Sequence, residues 1–351
     1  MSIENICFET SWNDSTIHLA PQAARDRITQ IAIDVFSILF PPLGIARLVN
    51  YAVVDFANRL ALPAAQNMRV DHVYKAVKNF YSYWNGPIKE ENRFIRENYH
   101  LVEQTVLTPD KVAIKAICLQ HNDCAPDMPT VIYFNGNFQL CIETPTWILE
   151  ESLKNGSPCN LVLFDYRGVG ESLGQFKRTN DLVIDGYSVV EWVREKIGTR
   201  PENIHFYGFS LGGAIATLTK ALDPECLTGR LINDRSFSSS DRVLNHRYGF
   251  LGKLLHYIFD YNGYSADVSA NFAKVSGEKM VIYHPDDDVI PFDAGMHLMN
   301  QQDELICLQP KPTLVEESKA YNHVAPLNWH ETAVERVMDF LFPREVAEVV
   351  V

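Results

Sequence analysis

The chain has 351 residues, 46% of them hydrophobic and 21% charged, an ordinary globular composition that excludes wholesale disorder. That length holds one large α/β domain with an appendage. A formal net charge of −13, with no dense run of Lys or Arg, excludes a duplex-binding protein, which needs a basic face, and predicts no nucleic-acid partner.

The N-terminus, MSIENICFETSWND, is polar and acidic and lacks a basic region followed by an apolar one, so no cleaved signal peptide is expected. Residues 28–40 (ITQIAIDVFSILF) are apolar with helical period, and Pro41 and Pro42 end that segment because proline lacks the N–H and clashes with the preceding turn. A second apolar stretch covers 43–62. Asp34, Arg47 and Asp55 interrupt the two arms, which argues against a membrane span. Two readings remain for residues 28–62: a helical pair packed on the main domain, or a hairpin making peripheral contact with a membrane surface. Residues 71–98 read as one further helix, completing a helical N-terminal extension over residues 1–95.

From about residue 99 short β-branched runs alternate with helical segments. Strands are predicted at 100–107 and 111–119, antiparallel about Pro109-Asp110, then at 130–135, 160–166, 204–209, 230–236, 279–284 and 303–309. The middle ones are apolar throughout, as strands buried on both faces of a parallel sheet are. Helices are predicted at 181–197, 211–222, 292–301 and 329–342. The alternation predicts an α/β fold with a mostly parallel central sheet and helices on both faces. Residues 241–278 break it with an apolar, aromatic helix, YGFLGKLLHYIFDY, read as a helical cap insertion. Cys7, Cys118, Cys124, Cys141, Cys159, Cys226 and Cys307 form no CxxC pair. They read as reduced thiols, which suits a cytosol-exposed protein, and their spacing suggests no zinc site.

The strongest motif is Gly208-Phe209-Ser210-Leu211-Gly212-Gly213, between an aromatic strand and an Ala/Leu helix. A nucleophile elbow demands that context: the turn is so tight that side chains at Gly208 and Gly212 would collide with strand or helix. The turn aims Ser210 into the N-terminal end of the helix, where free N–H groups favour a developing oxyanion.

With FNGNF at 134–138 and DYRGVGES at 165–172, each after a buried strand, this elbow resembles the α/β-hydrolase superfamily. Within it the motifs are similar to the lipase and esterase branch that includes depalmitoylase-like hydrolases. The N-terminal helices are similar to those of the CHLPS-type hydrolases of intracellular bacteria. The resemblance covers about residues 99–345 and implies a hydrolase domain over 96–345, with the cap at about 241–278. The family usually carries His-Gly after its third strand; here the pair is Asn135-Gly136. The resemblance makes the backbone N–H groups of Asn137 and Leu211 the oxyanion donors, and it assigns Arg167 and Gly168 a bracing role.

Triad members in this fold run Ser, then Asp or Glu, then His. Asp287 matches the family's acid, three residues after His284 (in the usual glycine's place) and four before Pro291; Asp288 is the alternative. The run Asp286-Asp287-Asp288 lacks EF-hand spacing, so no metal is expected. Of the later histidines, His323 stands in a loop about six residues before the final helix, where the fold puts its base; His297 comes too early, and His330, at that helix's start, is the alternative.

The expected chemistry is acyl transfer from a carboxylic ester or thioester to Ser210, needing no cofactor. Phe250, Leu251, Leu254, Leu255, Tyr257 and Ile258 of the insertion are expected to line a lipid-sized pocket, which favours an acylated or lipid substrate. An acyltransferase would use the same residues, and a membrane-recruited binding module would keep the fold without the chemistry. Nothing in the sequence sets an oligomeric state.

Overall fold

The computed structural model describes residues 70–86, 90–143, 146–222, 229–299, 302–309 and 321–343. The apolar arms expected at 28–40 and 43–62, and with them the expected membrane contact, lie outside the described residues.

Eight strands form one sheet: β1 (Tyr99–Leu107), β2 (Ala113–His121), β3 (Thr130–Phe134), β4 (Asn160–Phe164), β5 (Ile204–Phe209), β6 (Leu231–Asp234), β7 (Lys279–Tyr283) and β8 (Glu304–Cys307). Their spatial order is β1-β2-β4-β3-β5-β6-β7-β8. β1 and β2 pair antiparallel and β2 joins β4 antiparallel; the remaining pairs are parallel. All eight coincide with predicted strands to within a few residues. Ten helices accompany them among the described residues: α1 (Val70–Asn85), α2 (Glu90–Asn98), α3 (Trp147–Lys154), α4 (Thr179–Trp192), α5 (Leu211–Leu222), α6 (Ser240–Tyr248), α7 (Phe250–Tyr261), α8 (Val268–Phe272), α9 (Tyr321–Val324) and α10 (Glu331–Leu341).

The central strands β3, β4 and β5 are buried at every position because each side chain meets a helical layer. Ile132, Phe134, Val162, Phe164, Ile204 and Phe206 point to the face covered by α4, α5 and α8. Their neighbours Val131, Tyr133, Leu161, Leu163, Tyr207 and Phe209 point to the face covered by α3 and α10. This is the period-2 alternation of a strand with both sides buried. Each fully buried ring or branched chain, such as Phe134, contributes roughly 1.5–3 kcal/mol.

Some expectations need correcting. The helix expected over 71–98 is two helices, α1 and α2, with a bend at Gly86. The helix expected at 292–301 is replaced by two 3-10 turns, Phe292–Ala294 and Met296–Leu298, about an extended Gly295. The backbone there is drawn out of helix by the segment before α6: Gly295 bridges Phe237, the Met296 N–H donates to the Ser236 carbonyl and the Ser238 N–H donates to that of Ala294. The insertion carries two helices before α8 instead of one, parted at Gly249, whose φ of 56° suits glycine. Its base is closed by the Ser239–Asp267 bridge and by bonds between Ser240 and Ala266. Helix α3, buried through Trp147, Ile148 and Leu149, is absent from the sequence reading. Among the described residues no helix is long and apolar enough to cross a membrane.

Candidate active site

The loops after the C-terminal ends of the parallel strands converge on one site. The most constrained is the turn from β5 to α5. Ser210 has φ of 53°, a left-handed conformation that side chains rarely adopt. A Cβ at Gly208 would overlap the backbone of Gly212 and Gly213, and one at Gly212 would overlap the Phe134 carbonyl. The Ser210 N–H donates to the Asp234 carbonyl at 2.9 Å, tying the turn to the end of β6.

Ser210 Oγ lies 2.8 Å from His323 Nε2, and His323 Nδ1 lies 2.7 Å from Asp287 Oδ2. The turn after β5, the loop after β7 and the short helix α9 supply the three groups. The other Asp287 oxygen, Oδ1, accepts the N–H groups of Val289 and Ile290, both at 2.8 Å, so the carboxylate is held from both ends. Asp288 is exposed and contacts neither residue; the acidic run offers one inward carboxylate. His323 sits on the single turn α9, where a loop was expected, and its ring packs 5.2 Å from that of Phe209. His330 instead starts α10, its carbonyl accepting the N–H groups of Ala333 and Val334. His297 stacks on Tyr283 with centroids 4.2 Å apart, and burial pushes its pKa down. His284 accepts the Asp286 N–H at 3.1 Å, and burial likewise lowers its pKa.

Around the mouth, the Gly136 N–H is taken by Gln139 Oε1 at 2.9 Å and the Phe138 N–H by Asn137 Oδ1 at 3.1 Å. A Cβ at Gly136 would press on the Phe209 ring. Asn135, in the usual histidine's place, turns away from the site and donates to the Phe164 carbonyl at 2.8 Å. Asn137 and Leu211 both line the pocket beside Ser210. The Leu211 N–H, first in α5, has no carbonyl a turn behind it within the helix.

Arg167 is structural, as expected: it binds Asp185 and Asp110 at 2.7–3.1 Å beneath the strand ends. Asp185 is nevertheless pushed up to about 6 by burial. The sequence reading missed Asp234 and Arg235. The Arg235 guanidinium donates to Asp234 at 2.7 and 3.0 Å and to the Ala325 carbonyl at 2.7 Å, and it lies 4.9 Å over the Phe209 ring. Burial works against the cation, but the Asp234 carboxylate raises its pKa overall. Arg235 thereby steadies the chain that carries His323. The available signal was an Asp-Arg pair at the end of a short buried strand, after Leu231, Ile232 and Asn233.

The pocket in front of Ser210 has a volume of about 840 Å³. On the sheet side lie Asn137, Ser210, Leu211 and His323; across from them the insertion contributes Leu244, Phe259 and Tyr264. The six apolar residues expected to line it do not: Phe250, Leu251, Leu254 and Tyr257 are exposed, and Leu255 and Ile258 are absent from the lining. An apolar helix has two sides, and the inner one here is set by Phe259. Among the described residues no group of three or more His, Cys, Asp or Glu is arranged to hold a metal ion.

Comparison with known proteins gives concordant matches. Residues 14–304 match the model of a family described as Chlamydia CHLPS protein (DUF818). The chain is 27% identical over 203 residues to the uncharacterized protein R595 of Acanthamoeba polyphaga mimivirus, covering 54% of this chain and 66% of that one. It is 25% identical over 152 residues to lysophosphatidylserine lipase ABHD12 of Bos taurus, covering 40% and 37%. The chain thus spans less than two thirds of the length of either relative. The Pyrococcus furiosus esterase Pf2001 shares the fold, with a TM-score of 0.51, 17% identity, and coverage of 73% of this chain and 95% of the other.

Proposed function

The chain belongs to the Chlamydia CHLPS protein family (DUF818) and has the α/β-hydrolase fold, and we propose that it is a serine hydrolase cleaving a carboxylic ester or thioester of a lipid or acylated substrate. The observation that carries this reading is the continuous hydrogen-bonded chain Ser210–His323–Asp287, at 2.8 and 2.7 Å, opening on an apolar pocket. With its proton on Nδ1, His323 donates to Asp287 and accepts from the Ser210 hydroxyl. As Oγ attacks the acyl carbon, Nε2 takes the hydroxyl proton, and Asp287 stabilises the imidazolium.

The N–H groups of Asn137 and Leu211 face the oxyanion of the tetrahedral intermediate, each such donor worth about 3–4 kcal/mol in comparable sites. Collapse breaks the ester or thioester bond, and the leaving alcohol or thiol departs with the proton from Nε2. Water, deprotonated by His323, then attacks the acyl-enzyme and releases the acid. The lipid side of the proposal draws support from the pocket volume of about 840 Å³, with Leu244 and Phe259 opposite the serine, and from the lipase name of the ABHD12 relative. The preference for small or long acyl groups is read by turnover of p-nitrophenyl esters of graded chain length. Hydrolysis that rises with chain length and falls by about 10⁴-fold or more in Ser210→Ala is expected. No turnover at any length, or an unaffected variant, contradicts the proposal.

A further inference from the structure

Helix α7 lies directly on α6: a Cβ at Gly252 would overlap the Leu244 carbonyl, so the two backbones touch. The inner side of this pair, through Leu244 and Phe259, lines the pocket. The outer side of α7 is apolar and faces water. Phe250 is 85% exposed, Leu254 56%, Tyr257 70% and Tyr261 50%, and their spacing of four, three and four residues sets them on one helical stripe. Two residues lining the pocket, Phe138 and Val324, are also more than half exposed. Exposed apolar side chains thus occur both in the pocket's lining and on the outer side of α7.

Charge narrows the partner. Between Asp241 and Asp260, residues 242–259 hold Arg242, Arg247 and Lys253 and no Asp or Glu, in a chain of net charge −13 with 44 acidic residues. Among the described residues this stretch forms one ion pair, His246 with Asp293 at 2.9 Å. A helical pair with aromatic anchors and local positive charge, in a chain of net negative charge, is attracted to an anionic surface in the orientation that presents this pair. A second copy of the chain would bring the same basic residues against themselves across a two-fold interface, which is repulsive.

We propose that the outer face of α7, anchored by Phe250, Leu254 and Tyr257 and assisted by Arg242 and Lys253, docks on an anionic lipid surface. It rests on the lipid reading of the proposed function for its substrate, whereas the binding itself requires no hydrolysis.

The test is flotation of the full chain with vesicles of phosphatidylcholine alone or mixed with phosphatidylserine, alongside turnover of soluble p-nitrophenyl acetate. The wild type is expected to float about fivefold or more better with mixed vesicles, and Phe250→Ser/Leu254→Ser/Tyr257→Ser to lose about tenfold of that partitioning. Acetate turnover by the variant should equal the wild type's; if neither turns over, the proposed function fails while flotation still decides this proposal. The milder Arg242→Glu/Lys253→Glu variant should lower partitioning to mixed vesicles and leave that to neutral ones unchanged. A wild type that does not float, equal flotation on neutral vesicles, or variants that float like the wild type would overturn it; the last result would assign membrane contact elsewhere in the chain. A wild-type dimer that the triple variant turns into a monomer, without flotation, would give this face to a second copy and also overturn it.

Discussion

On the sheet side of the pocket, Ser210, Asp287 and His323 are fixed by backbone hydrogen bonds, by ring packing on Phe209 and by glycines whose extra methyl would overlap main chain. On the opposite side, α6 and α7 are joined to the body at the Ser239–Asp267 bridge, line the pocket with Leu244 and Phe259, and leave an apolar stripe in water. The first wall has almost no freedom to change; the second has room to vary. Chemistry demands positions accurate to fractions of an ångström, whereas selecting an apolar chain demands only a surface of suitable shape.

The contrast is sharpest within the acidic run. Asp287→Asn is expected to lower kcat by about 10³–10⁴-fold, because the amide no longer holds the required His323 tautomer, while Asp288→Asn changes it less than about twofold. Equal effects would remove Asp287 from its proposed role. A pair of glycines extends the comparison to stability. Gly212→Ala is expected to cost about 3 kcal/mol or more in urea unfolding, because its Cβ meets the Phe134 carbonyl. Gly249→Ala, at φ of 56° and ψ of −128° with nothing within 4 Å of its Cβ, should cost only the backbone strain of that glycine-favouring conformation, about 1–3 kcal/mol. Equal costs would mean that the inserted helices are as tightly constrained as the elbow.

A pH-dependent effect comes from Asp165, buried just after β4. Burial pushes its pKa up to about 7, against the hydrogen bond it accepts from the Cys141 N–H. A carboxyl whose folded pKa exceeds its unfolded value binds its proton more tightly in the native state. That contribution is complete below the unfolded value of 3.8 and is lost as pH rises through about 7. Relative to Asp165→Asn, the wild type should therefore lose up to about 1.4 kcal/mol of unfolding free energy per pH unit within that window. Parallel stability–pH curves for the two proteins would contradict this assignment.

Much of the sheet-side wall was legible in the sequence, since its signals are local. All eight strands coincide with short runs rich in β-branched and apolar residues, and the elbow glycines, the acid spacing and the order Ser210, Asp287, His323 lie along the chain. What was not legible depends on partners distant in sequence. Met296 and Gly295 look helical until the strand-like segment at Ser236–Ser238 claims their backbone groups. The outward stripe of α7 and its inward Phe259 are equally apolar, and only the position of α6 decides which side is buried. Asp234 and Arg235 read as the polar end of a strand until Ala325 arrives from the other end of the fold.

The central claim is that Ser210 is the activated nucleophile. It is tested most directly by treating the protein with a fluorophosphonate probe and mapping the adduct by peptide mass spectrometry. One adduct on Ser210, lost in Ser210→Ala and strongly slowed in His323→Ala, is the predicted result. Full labelling of the Ser210→Ala variant, or an adduct on a different residue of the wild type, would contradict it.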